Sequence, residues 1–157
     1  ILIINTTDLS LHEEIAVEPI QTQTDISELT KSSILDVLIV DDSVSVRRIL
    51  SKTIKLMGWN SIRAKDGLEA FEIIQGLKNK PDVILLDIEM PRMDGYELTS
   101  TLRSSDDYND IPIIIITSRA GDKHRTKAYE VGVSDYLVKP YQDEILISKI
   151  QELTKLS

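Results

Sequence analysis

Asp41-Asp42, Asp87, Thr117 and Lys139 each stand just after a short apolar run, formed by residues 37–40, 83–86, 113–116 and 136–138. Segments with helical periodicity separate these runs. A chain that alternates buried strands with helices folds as a parallel sheet covered on both faces. In such sheets ligands bind beyond the carboxyl ends of the strands. Three acids, a hydroxyl and an amine therefore converge on one rim. That set suits a divalent cation and a phosphoryl group.

Each residue also has a plainer reading. Asp41-Asp42 are equally at home as turn and cap residues between strand and helix. Asp87 is harder to assign that way, because it ends a run apolar on both faces. Burial and neighbouring acids would raise its pKa unless a cation intervenes. All-oxygen ligation favours Mg²⁺ or Mn²⁺. Thr117 can donate to a phosphoryl oxygen or cap the segment after it. Lys139 can pair with a phosphate or remain solvated. Pro140 holds Lys139 extended, and the Lys139–Pro140 bond is expected to be cis. Tyr136 is either partly packed with a wet hydroxyl or a rotamer switch that follows Thr117 inward.

The elements that would position these groups read as five β–α units. The first strand spans 35–40. Ser43 caps a helix with Val46, Ile49, Leu50, Ile54 and Met57 on its apolar stripe, and Gly58 stops it. A weaker, edge-like strand covers 61–64. Asp66 caps a second helix with Leu68, Phe71, Ile74 and Leu77 on one stripe. The run at 83–86 is central. A short helix at 96–103, the strand 113–116, a polar helix at about 121–131, the strand 134–138 and a helix at 143–154 complete the pattern.

The remaining composition narrows the function class. Asp and Glu outnumber Lys and Arg by 26 to 18, for a net charge of −8. Such a chain lacks the basic face that nucleic-acid binders show. With no cysteine there is no thiol catalysis or disulfide, which fits a reducing compartment. No apolar stretch approaches the roughly 18–20 residues that span a bilayer, and no signal peptide is visible. The expected location is the cytoplasm, without membrane contact by this domain. Residues 1–33 read as a polar extension or linker, with 1–4 a candidate end of a preceding domain, and 34–157 as the folded domain. A start at Ile1 in place of Met reads as a fragment of something longer.

Val40-Asp41-Asp42-Ser43, then Leu86-Asp87-Ile88-Glu89-Met90-Pro91-Arg92-Met93-Asp94-Gly95, Ile116-Thr117-Ser118 and Lys139-Pro140 together resemble the receiver domain of two-component response regulators. The resemblance covers residues 34–157, with every motif in order. It implies a flavodoxin-like (βα)₅ fold with strand order 2-1-3-4-5, the order of the chemotaxis receiver among the standard doubly wound examples. It also implies that Asp87 is the phosphoacceptor and that Asp41, Asp42, Asp87 and the backbone carbonyl of Glu89 hold Mg²⁺. Thr117 and Lys139 would then contact the phosphoryl group, and Tyr136 would be the switch aromatic.

The wording around Ile116-Thr117-Ser118-Arg119, Asp122-Lys123-His124-Arg125 and Lys139-Pro140-Tyr141-Gln142 is similar to receivers at the C-terminus of chemotaxis-type hybrid histidine kinases. The implied partners are a histidine kinase or phosphotransfer domain and a downstream protein, with no nucleic acid. Such a domain catalyses only its own phosphorylation and dephosphorylation. Glu89 departs from the common pattern, in which a neutral side chain is frequent, and this bears on the lifetime of the phosphorylated form. The alternatives are a stand-alone regulator, a haloacid-dehalogenase-type phosphatase using Glu89 as acid/base, a flavin-mononucleotide binder of the same strand order, and an interaction domain with an idle pocket.

Overall fold

The computed structural model describes residues 34–155. The expected linker, the candidate terminal strand at 1–4 and the last two residues lie outside that range. Five strands and five helices alternate through the described residues: β1 (Asp36–Val40), α1 (Val44–Leu56), β2 (Asn60–Ala64), α2 (Gly67–Gly76), β3 (Val83–Leu86), α3 (Gly95–Arg103), β4 (Ile113–Thr117), α4 (Asp122–Val131), β5 (Asp135–Val138) and α5 (Asp143–Thr154). The strands form one parallel sheet in the order β2-β1-β3-β4-β5. This is the doubly wound, flavodoxin-like architecture expected.

The two-residue period of the strands divides the core into two layers. Val37, Ile39, Val83, Leu85, Ile114 and Ile116 pack with Leu50 and Ile54 of α1 and Leu146 and Ile150 of α5. Leu38, Val40, Ile84, Leu86, Ile113 and Ile115 face Ala70 and Ile74 of α2, Leu98 and Leu102 of α3, and Ala128 of α4. All four residues of β3 are buried, as its apolar run on both faces requires. Each fully buried Leu or Ile contributes roughly 1.5–3 kcal/mol of transfer free energy. The strand ends are thereby set on a rigid platform.

The caps fall where the polar residues put them. The Ser43 hydroxyl accepts from the Val46 N–H, and Asp66 accepts from the Glu69 N–H. Gly58, at φ +79°, turns the chain out of α1 in a conformation that favours glycine. Two apolar stripes need correction. Ile49 of α1 and Met57, just after its end, are 64% and 40% exposed; the face against the sheet is Val46, Leu50 and Ile54. In α2 the deepest residues are Gly67, Ala70 and Ile74, while Leu68, Phe71 and Leu77 are half-buried. At Gly67 there is no room for a side chain, because a Cβ would stand 2.6 Å from the Met93 carbonyl oxygen.

Candidate functional site

Backbone hydrogen bonds across the strand ends bring the candidate residues together. The Asp87 N–H donates to the Val40 carbonyl, joining the end of β3 to that of β1. The Lys139 N–H donates to the Thr117 carbonyl, joining β5 to β4. Asp41 therefore lies one residue beyond β1, Asp87 one beyond β3, and Lys139 one beyond β5. Thr117 itself closes β4, one residue later than the apolar run suggested. The Lys139–Pro140 bond is cis, as expected.

Carboxylate oxygens of Asp41, Asp42 and Asp87 all lie within 4.8 Å of one another. Asp41 is buried, Asp87 half-buried and Asp42 exposed. Asp41 is also the turn residue of its plainer reading, since its Oδ1 accepts from the Ser43 N–H at 2.9 Å. Its other oxygen, Oδ2, is 3.7 Å from Lys139 Nζ. The Lys139 ammonium thus acts on both Asp41 and Asp87. Even so, the pKa of Asp87 is raised from 3.8 to about 6. Burial is the main cause and Asp41 the next; Lys139 and the Ile88 N–H, which donates to Oδ1 at 2.8 Å, pull the other way. A site of three hard oxygen donors short of positive charge fits a small divalent cation.

A cleft of about 640 Å³ opens beside Asp42 and Asp87, lined by Glu89, Tyr96, Arg119 and His124 among others. Glu89 is ion-paired with Arg119 across this opening. Arg119 Nη1 is 3.3 Å from His124 Nε2. The Arg119 backbone is held too: its N–H donates to Thr117 Oγ1 at 3.2 Å, and its carbonyl accepts from the Tyr136 hydroxyl at 2.7 Å. Thr117 therefore folds back on the loop after β4, while Gly121 occupies the cap position of α4. Tyr136 is buried with its hydroxyl satisfied, and the Arg125 guanidinium lies 4.8 Å from its ring centroid. The packed-but-wet reading of Tyr136 does not describe this contact.

Arg119, His124, Tyr96 and Arg92 carry roles that the sequence reading did not assign. Arg92 has φ +66°, and its Nε donates to the buried Asp66 at 2.8 Å, tying the β3–α3 loop to the cap of α2. Glu89 and Arg119 follow the ends of the adjacent strands β3 and β4, and their pairing is set by where the two loops turn.

The loop also makes the position of Asp87 sensitive to one glycine. A Cβ on Gly95 would lie 2.4 Å from the Asp87 carbonyl oxygen and 3.1 Å from its carbonyl carbon. Gly95→Ala is expected to cost about 1–3 kcal/mol through overpacking and to shift Asp87. Thermal melts and labelling with a phosphodonor check this; an unaltered melt with full labelling contradicts it.

A family model described as the response regulator receiver domain matches residues 37–151, and the chain belongs to that family. Among curated proteins the chain is similar to the sensor histidine kinase CheAY of Helicobacter pylori, 39% identical over 134 residues, which is 83% of this chain and 17% of that protein. It is 37% identical over 119 residues to the response regulator MprA of Mycobacterium sp. strain KMS, covering 76% of this chain and 50% of that protein. The chain thus spans at most half the length of these relatives. Of solved structures, the chemotaxis protein CheY4 of Vibrio cholerae aligns with a TM-score of 0.71 at 33% identity, over 77% of this chain and 99% of that one. The receiver domain of a sensor histidine kinase from Pseudomonas aeruginosa, solved with a magnesium ion in its active-site cleft, aligns with a TM-score of 0.71 at 25% identity, over 78% and 99%. No helix among the described residues is long and apolar enough to cross a membrane.

Proposed function

We propose that this receiver accepts a phosphoryl group from a phosphohistidine onto Asp87. The observation that carries this reading is the set of three carboxylates within 4.8 Å, with Lys139 set against Asp41. An Asp87 oxygen attacks phosphorus as the P–N bond to the imidazole breaks; the imidazole leaves and takes up a proton. Mg²⁺, or Mn²⁺, held by Asp41, Asp42, Asp87 and the carbonyl of Glu89, would neutralise charge on the phosphoryl oxygens and align the displacement. Lys139 supplies a point charge to the same oxygens. The Thr117 hydroxyl turns from the Arg119 N–H to donate to them.

That turn frees the loop whose carbonyl holds the Tyr136 hydroxyl. Thr117 and Tyr136 therefore bias one two-state element, which alters the surface of α4, β5 and α5. Phosphorylation shifts this equilibrium only by its differential affinity for the two packings. The partners are a histidine kinase or phosphotransfer domain and a downstream protein, acting in the cytoplasm where the donor is charged. The likeness to CheAY favours a place within a hybrid histidine kinase of a chemosensory pathway over a stand-alone regulator. The haloacid-dehalogenase reading loses its acid/base, because Glu89 is paired with Arg119.

The test is phosphotransfer from a phosphorylated histidine kinase or phosphotransfer domain, with Lys139→Ala alongside. Wild type should gain the label as the donor loses it, and Lys139→Ala should label poorly and fail to change partner binding. A donor that keeps its label with wild type contradicts the proposal. Glu89 and Arg119 line the cleft that opens beside Asp87, through which attacking water would approach. Glu89→Ala is therefore expected to shorten the lifetime of the acyl phosphate severalfold, measured as release of inorganic phosphate. An unchanged or longer lifetime contradicts that role.

A further inference from the structure

A second concave site lies away from the acidic cleft, between α1 and the edge strand β2. It encloses about 340 Å³ and is lined by Arg48, Ser51, Lys52, Lys55, Leu56 and Arg63. Strand register explains how Arg63 comes to be there. Ser61 and Arg63 pair with Val37 and Ile39, whose side chains face α1, and partners in a parallel ladder point to the same side. The α1-facing positions of β2 thus carry a hydroxyl and a guanidinium where packing would favour aliphatic residues. Ser51 of α1, 4% exposed, meets Ser61 with hydroxyl oxygens 2.5 Å apart, giving the groove a polar floor.

Among the described residues the four cations have no acidic counterpart: none of Arg48, Lys52, Lys55 or Arg63 takes part in an ion pair. A solvated helix face normally intersperses acids at three- and four-residue spacing, which stabilises the helix; like charges at that spacing do the reverse. The α1 segment Val-Ser-Val-Arg-Arg-Ile-Leu-Ser-Lys-Thr-Ile-Lys-Leu contains no acid at all. Arg48 and Lys52 stand four apart and Lys52 and Lys55 three apart, in a chain of net charge −8. Concentrated positive charge, a hydroxyl floor and an apolar wall from Leu56 and the lysine stems match a compact ligand bearing several phosphoryl groups and an apolar body.

We propose that this groove is a second ligand site, for a small phosphate-rich anion of the nucleoside di- or triphosphate class. Ammonium and guanidinium groups grip the phosphoryl oxygens, and the base lies against Leu56. The site is independent of phosphoryl transfer at Asp87, whose carboxylates repel such an anion when no metal is present.

Calorimetric titration of the full chain in EDTA, with ATP and separately with inorganic tripolyphosphate, tests this. Trp59, the chain's single tryptophan, lies between α1 and β2 and offers a second readout by fluorescence. Saturable one-to-one binding of ATP is expected, with an affinity loss of about tenfold or more in Lys52→Gln/Arg63→Gln. Lys78→Gln/Lys123→Gln, an equal charge change elsewhere, should bind as wild type does. Tighter binding of ATP than of tripolyphosphate supports a nucleotide; equal affinity supports an inorganic oligophosphate at the same groove. Absence of saturable binding by either probe overturns the proposal, as does an equal loss in the Lys78/Lys123 pair.

Discussion

Asp87→Asn takes up no phosphoryl group from acetyl phosphate or from a phosphohistidine donor, under conditions in which wild type is labelled. The expected loss is complete because neither neighbouring acid can substitute. Asp41 is buried, with one oxygen accepting from the Ser43 N–H and the other facing Lys139. Asp42 is exposed and begins the turn into α1, so it lacks the buried strand-end setting of Asp87. Asp87 alone combines a position at the buried strand end with an opening into the cleft. An amide there keeps the shape and removes the nucleophilic anion. Radiolabel or a mass shift measures this, and substantial labelling of the variant would refute the assignment.

The same substitution raises stability in the absence of metal, with an effect that depends on pH. Asp87 has a folded-state pKa of about 6 against an ordinary 3.8, so folding favours its protonated form. Relative to an unperturbed carboxyl, that contribution is fully present below about 3.8 and is lost as pH rises through about 6. Above pH 7 the ionised Asp87 is a strained neighbour of Asp41. After discounting for solvent screening at a half-buried group, the cost is about 1–2 kcal/mol. In EDTA, Asp87→Asn should therefore melt several degrees above wild type at pH 7.5, and the gap should shrink towards pH 4.5. Millimolar Mg²⁺ should raise the wild-type melt, because a ligand of the folded state stabilises it by mass action. It should raise Asp87→Asn less. An equal magnesium response in both proteins, or a gap that widens at low pH, contradicts the account.

The residues with chemistry were legible because strand-end position is written into short apolar runs. Asp41, Asp87, Thr117 and Lys139 could be placed on one rim without knowing any side-chain conformation. Strand order was less accessible: the apolar run at 83–86 signals a central strand, but only the family resemblance supplied 2-1-3-4-5. Helix faces were read less well where small residues compete with large ones. Ile49 fits a helical stripe yet points outward, and Gly67 takes part of the buried face of α2 because close packing against Met93 leaves no room for a Cβ. The Glu89–Arg119 pair and the Tyr136–Arg119 contact depend on where loops turn after β3 and β4. Residue type and local period carry almost none of that information.

Identifying the esterified atom is the most direct trial of the central claim. Wild type is treated with acetyl phosphate and Mg²⁺, the acyl phosphate is reduced with borohydride, and peptides are analysed by mass. Conversion to homoserine at position 87 alone, abolished by EDTA, is the predicted outcome. Reduction at another carboxylate, or undiminished conversion without a divalent cation, would contradict it.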